Sequence, residues 1–443
     1  MHQTHNLQQR MRLFISIFLP ILIDQLANFS ASFVDTTMTG QYDTLHLAGV
    51  SMATSLWIPF FDLLIGIVSA LVPIIGHHLG QGKKEKIASD FYQFIYLSLG
   101  LSLILFALVF VGAPLVLSHL SLELLVEEVA KNYLWYLALG IIPLLLFSTI
   151  RSLFDALGLT KLSMYLMLLL LPLNGSFNYV LIYGAFGFPE MGGAGAGLGT
   201  SLAYWVLLLI SLLVAVKHPK IRAYELWKIR PLDKKGLIEG IRLGLPIGGT
   251  FFAEVVIFSV VGLVMAKFSS LIIASHQAAM NFSNLMYAFP MSISTSMSII
   301  VSYEIGANHP DDVKKFCKLG RLTALGIAGF TLLFLYILRD RVAALYGSDS
   351  EFIRMTSVFL TYSLFFQLAD TFAAPLQGIL RGYKDTQVPF YLGLIAYWGV
   401  SLPLGLFTSL GPYGYWIGLI ASLVTSGILF QWRLNHLAKN ITN

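Results

Sequence analysis

Charged side chains are scarce in this sequence, and cysteine is almost absent. Only 12% of the 443 residues are Asp, Glu, Lys or Arg, whereas a soluble domain usually carries about 25%. With 56% hydrophobic residues and a mean hydropathy of +0.75, the chain has too little charge to cover the surface of a water-soluble fold. Cys317 is the only cysteine, so an intrachain disulfide is excluded. The composition therefore indicates an integral membrane protein.

Long apolar segments recur along the whole chain. A helix needs roughly 20 apolar residues to cross the bilayer core. The polar N-terminus leads into such a run without the pattern of a cleaved signal peptide, so we expect the first span to be retained. The predicted spans are approximately 11–38, 46–75, 90–117, 126–150, 160–184, 194–216, 237–266, 272–302, 314–338, 351–379, 387–409 and 414–436. The predicted fold class is an all-α integral membrane protein with twelve transmembrane helices.

Lys and Arg are concentrated in alternate loops between these spans. About 23 of the 28 fall on one side, and we assign Arg151 and Arg381 to loops on that side. The positive-inside rule therefore places both termini in the cytoplasm. These loops also account for the net charge of +5 and the pI of about 9.0, so no nucleic-acid partner is expected. No Lys or Arg is expected clearly in mid-span.

The two halves of the chain repeat. Leu19-Pro20-Ile21 recurs as Leu245-Pro246-Ile247, an offset of 226, and the same offset relates Gly80 to Gly306. Because each repeat holds six spans, an even number, both copies have the same orientation in the membrane. This predicts a pseudo-two-fold axis along the membrane normal and a central cleft with a site between the halves. We predict an N-terminal six-helix lobe at 1–216, a cytoplasmic linker at 217–236 and a C-terminal six-helix lobe at 237–443.

Five acidic side chains stand out as candidates inside the predicted spans, where an ionisable group costs about 2.5 kcal/mol or more. They are Asp24, Asp35, Asp62, Glu254 and Asp370. A carboxylate without a cationic partner must be protonated, bind a metal cation or accept hydrogen bonds, so each is a candidate coupling site. Asp24 and Asp35 are eleven residues apart, which places them within about 20° on one helix. For Asp24 and Asp62, a local cap or contact with loop water is the alternative.

Polar side chains accompany these acids in the fifth and sixth spans. Asn174 and Asn178 share one helix face, and Thr200 lies early in the next span. Amide and hydroxyl oxygens are hard ligands of the kind that Na⁺ prefers. The same side chains could instead hydrogen-bond neighbouring helices. The Gly-rich segment 192–197 is attributed to close helix packing rather than to phosphate binding.

Several short segments resemble the multidrug and toxic compound extrusion (MATE) transporters. FVDTTMTG at 33–40, followed by LAGV at 47–50, resembles the opening signature of that family. LRGYKDT at 380–386 looks like its segment after the tenth span, and Pro172-Leu173-Asn174 with Asn178 resembles its fifth span. The resemblance covers essentially the full chain. It implies two six-helix lobes, a V-shaped cleft and export of amphipathic, often cationic drugs in exchange for Na⁺ or H⁺.

The resemblance also implies roles for individual residues. It implies a cation-coupling site of the N-lobe at Asp35, Asn174, Asn178 and Thr200, and one of the C-lobe at Glu254 and Asp370, as in the NorM-like branch. If coupling uses sodium, the metal ligands would be Asp35, Glu254 and Asp370. Asn178 stands where some relatives have an aspartate. Phe366 stands one turn before Asp370, where that branch implies a tyrosine.

A substrate cleft would be lined by aromatic, Met and polar side chains. Soft, apolar walls tolerate varied ligands and aromatic faces attract organic cations, although each such residue could equally pack or face lipid. The candidates are Asp24, Phe60, Phe61, Gln277, Met286 and Tyr287. We expect no enzymatic activity and no cofactor beyond the coupling ion, Na⁺ or H⁺. We expect a monomer in the bacterial inner membrane.

Other functions remain alternatives. A lipid-linked oligosaccharide flippase of related architecture would be expected to carry a strongly cationic cavity, whereas mid-span Lys and Arg are nearly absent here. A membrane-embedded transferase would need clustered acidic motifs that bind Mg²⁺. The adjacent pair Asp311-Asp312 fits a solvated helix start better. A channel is a third alternative, but no filter-like segment is visible. Buried carboxylates suit both Na⁺ and H⁺, so the sequence leaves the coupling ion open.

Overall fold

The computed structural model describes residue 1 and residues 3–442, which form helices joined by short connections. The α-helices are α1 (Leu7–Tyr42), α2 (Thr44–Val68), α3 (Leu71–Gly80), α4 (Glu85–Ser118), α5 (Leu124–Ala138), α6 (Ile141–Ala156), α7 (Thr160–Tyr183), α8 (Gly193–Lys217), α9 (Lys234–Val264), α10 (Ser270–Met286), α11 (Ala288–Gly306), α12 (Pro310–Ala344), α13 (Ser350–Gly382), α14 (Gln387–Ala396), α15 (Leu402–Phe407) and α16 (Pro412–Thr442). A π-helix, Tyr397–Ser401, joins α14 to α15.

The number of spans agrees with the sequence. Within the described residues, eleven helical segments are long and apolar enough to cross a membrane, and the bent pair α5–α6 raises the number to twelve. Three of the eleven combine two α-helices. α2 and α3 together form Thr44–Gly80, α10 and α11 form Ser270–Gly306, and α14 and α15 with the π-helix between them form Gln387–Phe407. The prediction of an all-helical membrane protein with about twelve spans is confirmed.

The fourth span is broken where α5 meets α6. The two helices are bent by 49° across residues 139–140. Side chains of α8 bond the backbone there: Ser201 Oγ donates to the carbonyl of Tyr136 at 2.6 Å, and Trp205 Nε1 donates to that of Leu139 at 3.1 Å. Hydrocarbon offers no donors, so carbonyls released at a break must find partners within the protein.

The chain packs as two compact units. The first contains Met1 and Leu19–Gly248, and the second contains His2–Phe18 and Gly249–Asn443. The first residues of α1 therefore belong to the second unit. The lobe limits 1–216 and 237–443 follow the sequence repeat rather than packing, and they remain predictions, as do the two-fold axis and the central cleft.

Glycine in α8 allows close helix packing in the first unit. A Cβ atom on Gly197 would lie 2.6 Å from the carbonyl oxygen of Tyr133, which is too close for any other residue. The start of α8 therefore packs directly on the backbone of α5. This agrees with the attribution of residues 192–197 to helix packing.

Aromatic packing positions α13 in the second unit. Phe359 of α13 stacks on Trp416 of α16 with ring centroids 5.8 Å apart, and His276 of α10 meets the same indole edge-on at 5.4 Å. All three side chains are buried. Such pairs add to the hydrophobic burial of the rings. They hold the helix that carries Asp370 between its neighbours.

Candidate functional site

Three helices of the first unit bring polar groups to Asp35. Asn174 and Asn178 lie one turn apart on α7, and both are buried. Asn174 Nδ2 donates to Asp35 Oδ1 at 2.7 Å, and Asn178 Nδ2 donates to the same oxygen. The hydroxyl oxygen of Thr200, on α8, lies 3.5 Å from Asp35 Oδ2. The structure thus brings together the four residues of the predicted N-lobe site.

Gly199 fixes the position of the Asn178 amide. A Cβ atom on Gly199 would lie 2.2 Å from Asn178 Oδ1, so no larger residue fits while that side chain keeps its place. The close approach of α8 to α7 therefore presses the amide group toward Asp35. Asn178 Oδ1 is buried there, with no hydrogen-bond partner in the part of the chain that the structure describes.

The orientation of these groups suits a proton better than a metal ion. Both amides turn N–H groups to the carboxylate, while Asn174 Oδ1 faces the hydroxyl of Thr200 at 3.2 Å. A Na⁺ ion needs oxygen ligands, so both amides would have to rotate to bind it. The residue types present therefore fit sodium, but their arrangement fits a carboxyl group that gains and loses a proton.

A cavity of about 110 Å³ adjoins this cluster inside the first unit. Thr200 lines it together with Tyr133, Tyr204, Trp57 and Phe61. Its walls combine hydroxyl groups and aromatic faces, and it is large enough for several waters. Phe61, predicted to line the cleft, is thus placed on a cavity within the first unit.

Asp24 is ion-paired, contrary to the expectation that mid-span Lys and Arg are absent. Asp24 is 1% exposed, and its Oδ2 lies 2.7 Å from the guanidinium of Arg151. We had assigned Arg151 to a loop, but it lies within α6. The prediction failed because the boundary of the fourth span was set at residue 150, one residue too early to include the arginine. Asp24 is therefore neither an uncompensated acid nor in contact with loop water.

A further buried acid, Asp155, adjoins this ion pair and was missed in the sequence. It lies one helical turn after Arg151 on α6 and is 7% exposed. Ser163 Oγ of α7 donates to Asp155 Oδ1 at 2.8 Å. The spacing Arg-x-x-x-Asp was the available signal, since residues four apart share a helix face. Asp155 falls between the predicted fourth and fifth spans, 126–150 and 160–184, so composition alone places it in a loop.

Glu254 of α9 accepts two hydrogen bonds in the second unit. Tyr397 donates its phenol to Glu254 Oε1 at 2.8 Å, and Gln377 Nε2 of α13 lies 3.2 Å from the same oxygen. Glu254 also interacts electrostatically with Asp370 and Arg381. The assignment of Glu254 and Asp370 to one coupling site stays a prediction. Tyr397, Gln377 and Arg381 were not predicted as members of this site.

Arg381 is a second cation that we had assigned to a loop. It lies in the last turn of α13, and its guanidinium stacks 4.7 Å above the ring of Phe251. Arg151 and Arg381 each lie just beyond the end of a predicted span, at residues 150 and 379, where apolar composition fades before the helix ends. In the first unit, Arg151 pairs with Asp24 of α1. In the second unit, Arg381 interacts electrostatically with Glu254 of α9.

Asp370 faces a small pocket in the second unit. The pocket is lined by Met286 and Tyr287 at the junction of α10 and α11, by Phe366 and by Thr331 of α12. Met286 and Tyr287 were predicted to line the cleft, and here they lie beside a buried carboxyl group. Phe366 meets Phe258 edge-on, with centroids 5.9 Å apart.

The remaining predicted residues lie outside these clusters. Phe60 is 47% exposed and Gln277 is also exposed, while Asp62 of α2 is half-buried. Asp311 and Asp312 occupy the first turn of α12, as expected of a helix start. Asp312 accepts a hydrogen bond of 3.0 Å from Arg10, and that cation disfavours a metal ion on its neighbours Glu304 and His309.

A model of the MatE family matches the chain twice, at residues 20–180 and at residues 246–407. The matches start at 20 and 246, an offset of 226, which equals that of the repeat found in the sequence. Together they cover most of the chain. The internal repeat is therefore a repeat of the family module itself.

Curated relatives align over nearly the full length. The probable multidrug resistance protein NorM of Streptococcus pneumoniae serotype 4 is 69% identical, over 99% of this chain and 98% of that protein. Its counterpart in Halalkalibacterium halodurans is 42% identical, over 99% and 97%. The crystal structure of the eukaryotic MATE transporter AtDTX14 superposes with a TM-score of 0.86 over 98% of both chains, at 17% identity. The last likeness shows the fold alone.

Proposed function

This chain belongs to the MATE family, in its NorM-like branch, and on that premise we propose that it exports amphipathic, often cationic drugs by cation-coupled antiport. The names of its relatives as probable multidrug resistance proteins support the substrate class. The observation that carries the proposal is the carboxyl group of Asp35, held by three polar side chains in an apolar helix bundle. The activity is movement of small molecules rather than a chemical reaction.

Asp35 is the proposed coupling group of the first unit. As a carboxylate, it is stabilised by the two amide N–H groups of Asn174 and Asn178. A proton can enter on Oδ2, because the hydroxyl oxygen of Thr200 lies on that side and can accept it in a hydrogen bond. Protonation then removes a charge from a half-buried side chain, which changes the energy of packing α1 against α7 and α8.

Coupling requires that the proton and the drug favour different conformations. A ligand that binds both conformations equally shifts no equilibrium. In the proposed cycle, a proton from outside neutralises Asp35, so the drug loses affinity and leaves. Once the site opens to the cytoplasm, Asp35 releases that proton there. A cationic drug and a proton exclude each other because both are attracted to the same negative charge.

Glu254 and Asp370 form the proposed second coupling site. Two carboxyl groups in one apolar unit repel each other when both are charged, and a cation relieves that repulsion. Their oxygens are hard donors and fit Na⁺ in type. We propose that this pair binds Na⁺ or H⁺ and so couples a second ion gradient to export.

The protein is proposed to act as a monomer in the bacterial inner membrane with both termini in the cytoplasm. The concentration of Lys and Arg in alternate loops supports this orientation. The apolar helices of the described residues support several passes through the bilayer. Lipids and small organic cations are then the expected partners.

The decisive experiment measures ethidium transport in proteoliposomes under a pH gradient and a Na⁺ gradient imposed separately. Asp35→Asn should lower proton-driven transport by about tenfold or more, which corresponds to at least about 1.4 kcal/mol of lost coupling. A single cooperative thermal unfolding transition of the purified variant in detergent should show that it is folded.

Asp349→Asn is the matched control. Asp349 is exposed at the start of α13, and its side chain makes no capping hydrogen bond. The control should transport like the unaltered protein. Equal gradient-driven efflux by Asp35→Asn and by the control would refute the assignment of Asp35.

A further inference from the structure

Asp24, Arg151 and Asp155 form a buried triad in the first unit. The guanidinium of Arg151 lies 2.7 Å from Asp24 Oδ2, and Asp155 follows Arg151 by one turn on the same helix. Both acids are buried, at 1% and 7% exposure. Arg151 interacts electrostatically with Asp24, Asp155 and Tyr204 among the ionisable groups around it.

The charges of this triad do not balance. Two carboxylates and one guanidinium leave one uncompensated negative charge in an apolar interior, which is costly. Asp24 Oδ1 is buried and has no hydrogen-bond partner among the described residues. An oxygen in that position is where an additional positive species would be held, since it is already desolvated and points at no donor.

That species is a proton rather than a metal ion. The guanidinium of Arg151 occupies one side of Asp24 at 2.7 Å and would repel Na⁺ bound to the same carboxyl group. A proton binds covalently to a single oxygen and removes the excess charge without displacing Arg151. The hydroxyl of Ser163, 2.8 Å from Asp155 Oδ1, can remain a donor to the other acid.

Tyr204 connects the triad to the cluster around Asp35. It lies one turn after Thr200 on α8, and both line the same cavity of about 110 Å³. Tyr204 interacts electrostatically with Arg151, with Asp35 and with Asp24. A phenol and a cavity with room for waters are the components that a proton path needs.

We propose that Asp24, Arg151 and Asp155 form a second proton-binding site, connected to Asp35 through Tyr204 and the cavity beside Thr200. A proton that leaves the carboxyl group of Asp35 passes along this path and is taken up by a carboxylate of the triad, while Arg151 stays charged throughout. The role of Asp35 as the partner of this exchange rests on the proposed function. The protonation of the triad does not.

The test counts protons on the purified protein in lipid, without drug. After a jump from mildly acidic to mildly alkaline pH, released protons are measured with a dye, and the C=O band of protonated carboxyl groups is measured by infrared difference spectroscopy. Asp155→Asn should release one proton fewer than the unaltered protein, because Arg151 then balances Asp24 alone. Asp35→Asn should lose the C=O band of Asp35 but keep the band of the triad, which Asp155→Asn removes. The double variant should lack both bands.

Ser163→Ala is a milder substitution that keeps the proposal testable if Asp155→Asn does not fold. It removes the hydroxyl donor from Asp155 and should shift the frequency of the triad band without abolishing it. Proton release and band amplitude equal to those of the unaltered protein in Asp155→Asn, or an unshifted band in Ser163→Ala, would show a static ion pair and overturn the proposal.

The connection to Asp35 has its own test. Tyr204→Phe should leave the triad band in place and slow proton release several-fold, whereas Tyr165→Phe, at an exposed position on α7, should change neither. Release at the unaltered rate in Tyr204→Phe would overturn the path. Transport by Asp35→Asn and proton counts of Asp155→Asn are separate measurements, so failure of the proposed function and failure of the triad are distinguishable.

Discussion

The phenol of Tyr397 donates a hydrogen bond of 2.8 Å to Oε1 of Glu254. Tyr397 is the first residue of the π-helix between α14 and α15. The resemblance to the NorM-like branch implied a tyrosine at position 366, where this chain has phenylalanine. A phenol therefore reaches the acids of the second unit from a different helix.

Removal of this phenol should destabilise the second unit. Tyr397→Phe deletes one of two donors to the half-buried carboxyl group of Glu254, and a hydrogen bond to a charged group contributes about 1.5–3 kcal/mol. We expect a lower midpoint of thermal unfolding in detergent at neutral pH and a smaller loss at acidic pH, where a protonated carboxyl group depends less on this donor. Tyr391→Phe, at a residue that is 62% exposed, is the control and should leave the midpoint unchanged. An unchanged midpoint in Tyr397→Phe would contradict the role of this hydrogen bond.

Loss of Arg151 should be far more harmful than loss of a surface arginine. Arg151→Gln strands two buried acids, and breaking a buried ion pair costs about 3–5 kcal/mol. Adding Asp24→Asn should recover part of that loss, measured as the coupling energy in a double-mutant cycle of unfolding. Arg354→Gln, whose partner Glu351 lies 3.8 Å away on the surface, should cost less than about 1 kcal/mol. Additive effects of the two buried substitutions would rule out direct coupling.

A single methyl group at Gly199 should disturb the site around Asp35. In Gly199→Ala, the new Cβ would lie 2.2 Å from Asn178 Oδ1, so the amide must move and its hydrogen bond to Asp35 weakens. We expect gradient-driven ethidium transport to fall about tenfold while expression persists, for a loss near 1.4 kcal/mol. Gly326→Ala, where a Cβ meets no atom within 4 Å, should transport normally. Normal transport in both variants would show that the Asn178 contact is dispensable.

The orientation can be tested with thiol labelling, since Cys317 is the only cysteine. In a Cys317→Ser background, Ser348→Cys and Lys220→Cys each place one thiol at an exposed loop residue. If both termini are cytoplasmic, a membrane-impermeant maleimide should label residue 348 in intact cells and residue 220 only after the membrane is opened. The reverse pattern would invert the predicted topology.

Much of the fold follows from the sequence because bilayer thickness dictates the length of an apolar helix. The twelve spans and the repeat were visible for this reason. The break between α5 and α6 was not, because Ser201 and Trp205 supply the hydrogen bonds there from another helix. Composition along one helix carries no information about such partners.

The candidate sites divide in the same way. Asp35 with Asn174, Asn178 and Thr200 could be grouped by resemblance, and the geometry brings them together. The partners of Asp24 could not be predicted in this way. Arg151 follows the last residue of the predicted fourth span, so composition alone places it in a loop. A charged residue at a span boundary can lie inside the protein whenever an opposite charge meets it there.

The π-helix at residues 397–401 holds one surplus residue in the eleventh span. Each residue of a regular helix turns the chain by about 100°, so deletion of a single residue there would re-aim one half of the span relative to the other. The direction of the Tyr397 side chain toward Glu254 therefore depends on the number of residues in this span as well as on their identity. A homologue whose eleventh span is a regular α-helix, without the extra residue, would need its tyrosine at another position to reach the same carboxyl group.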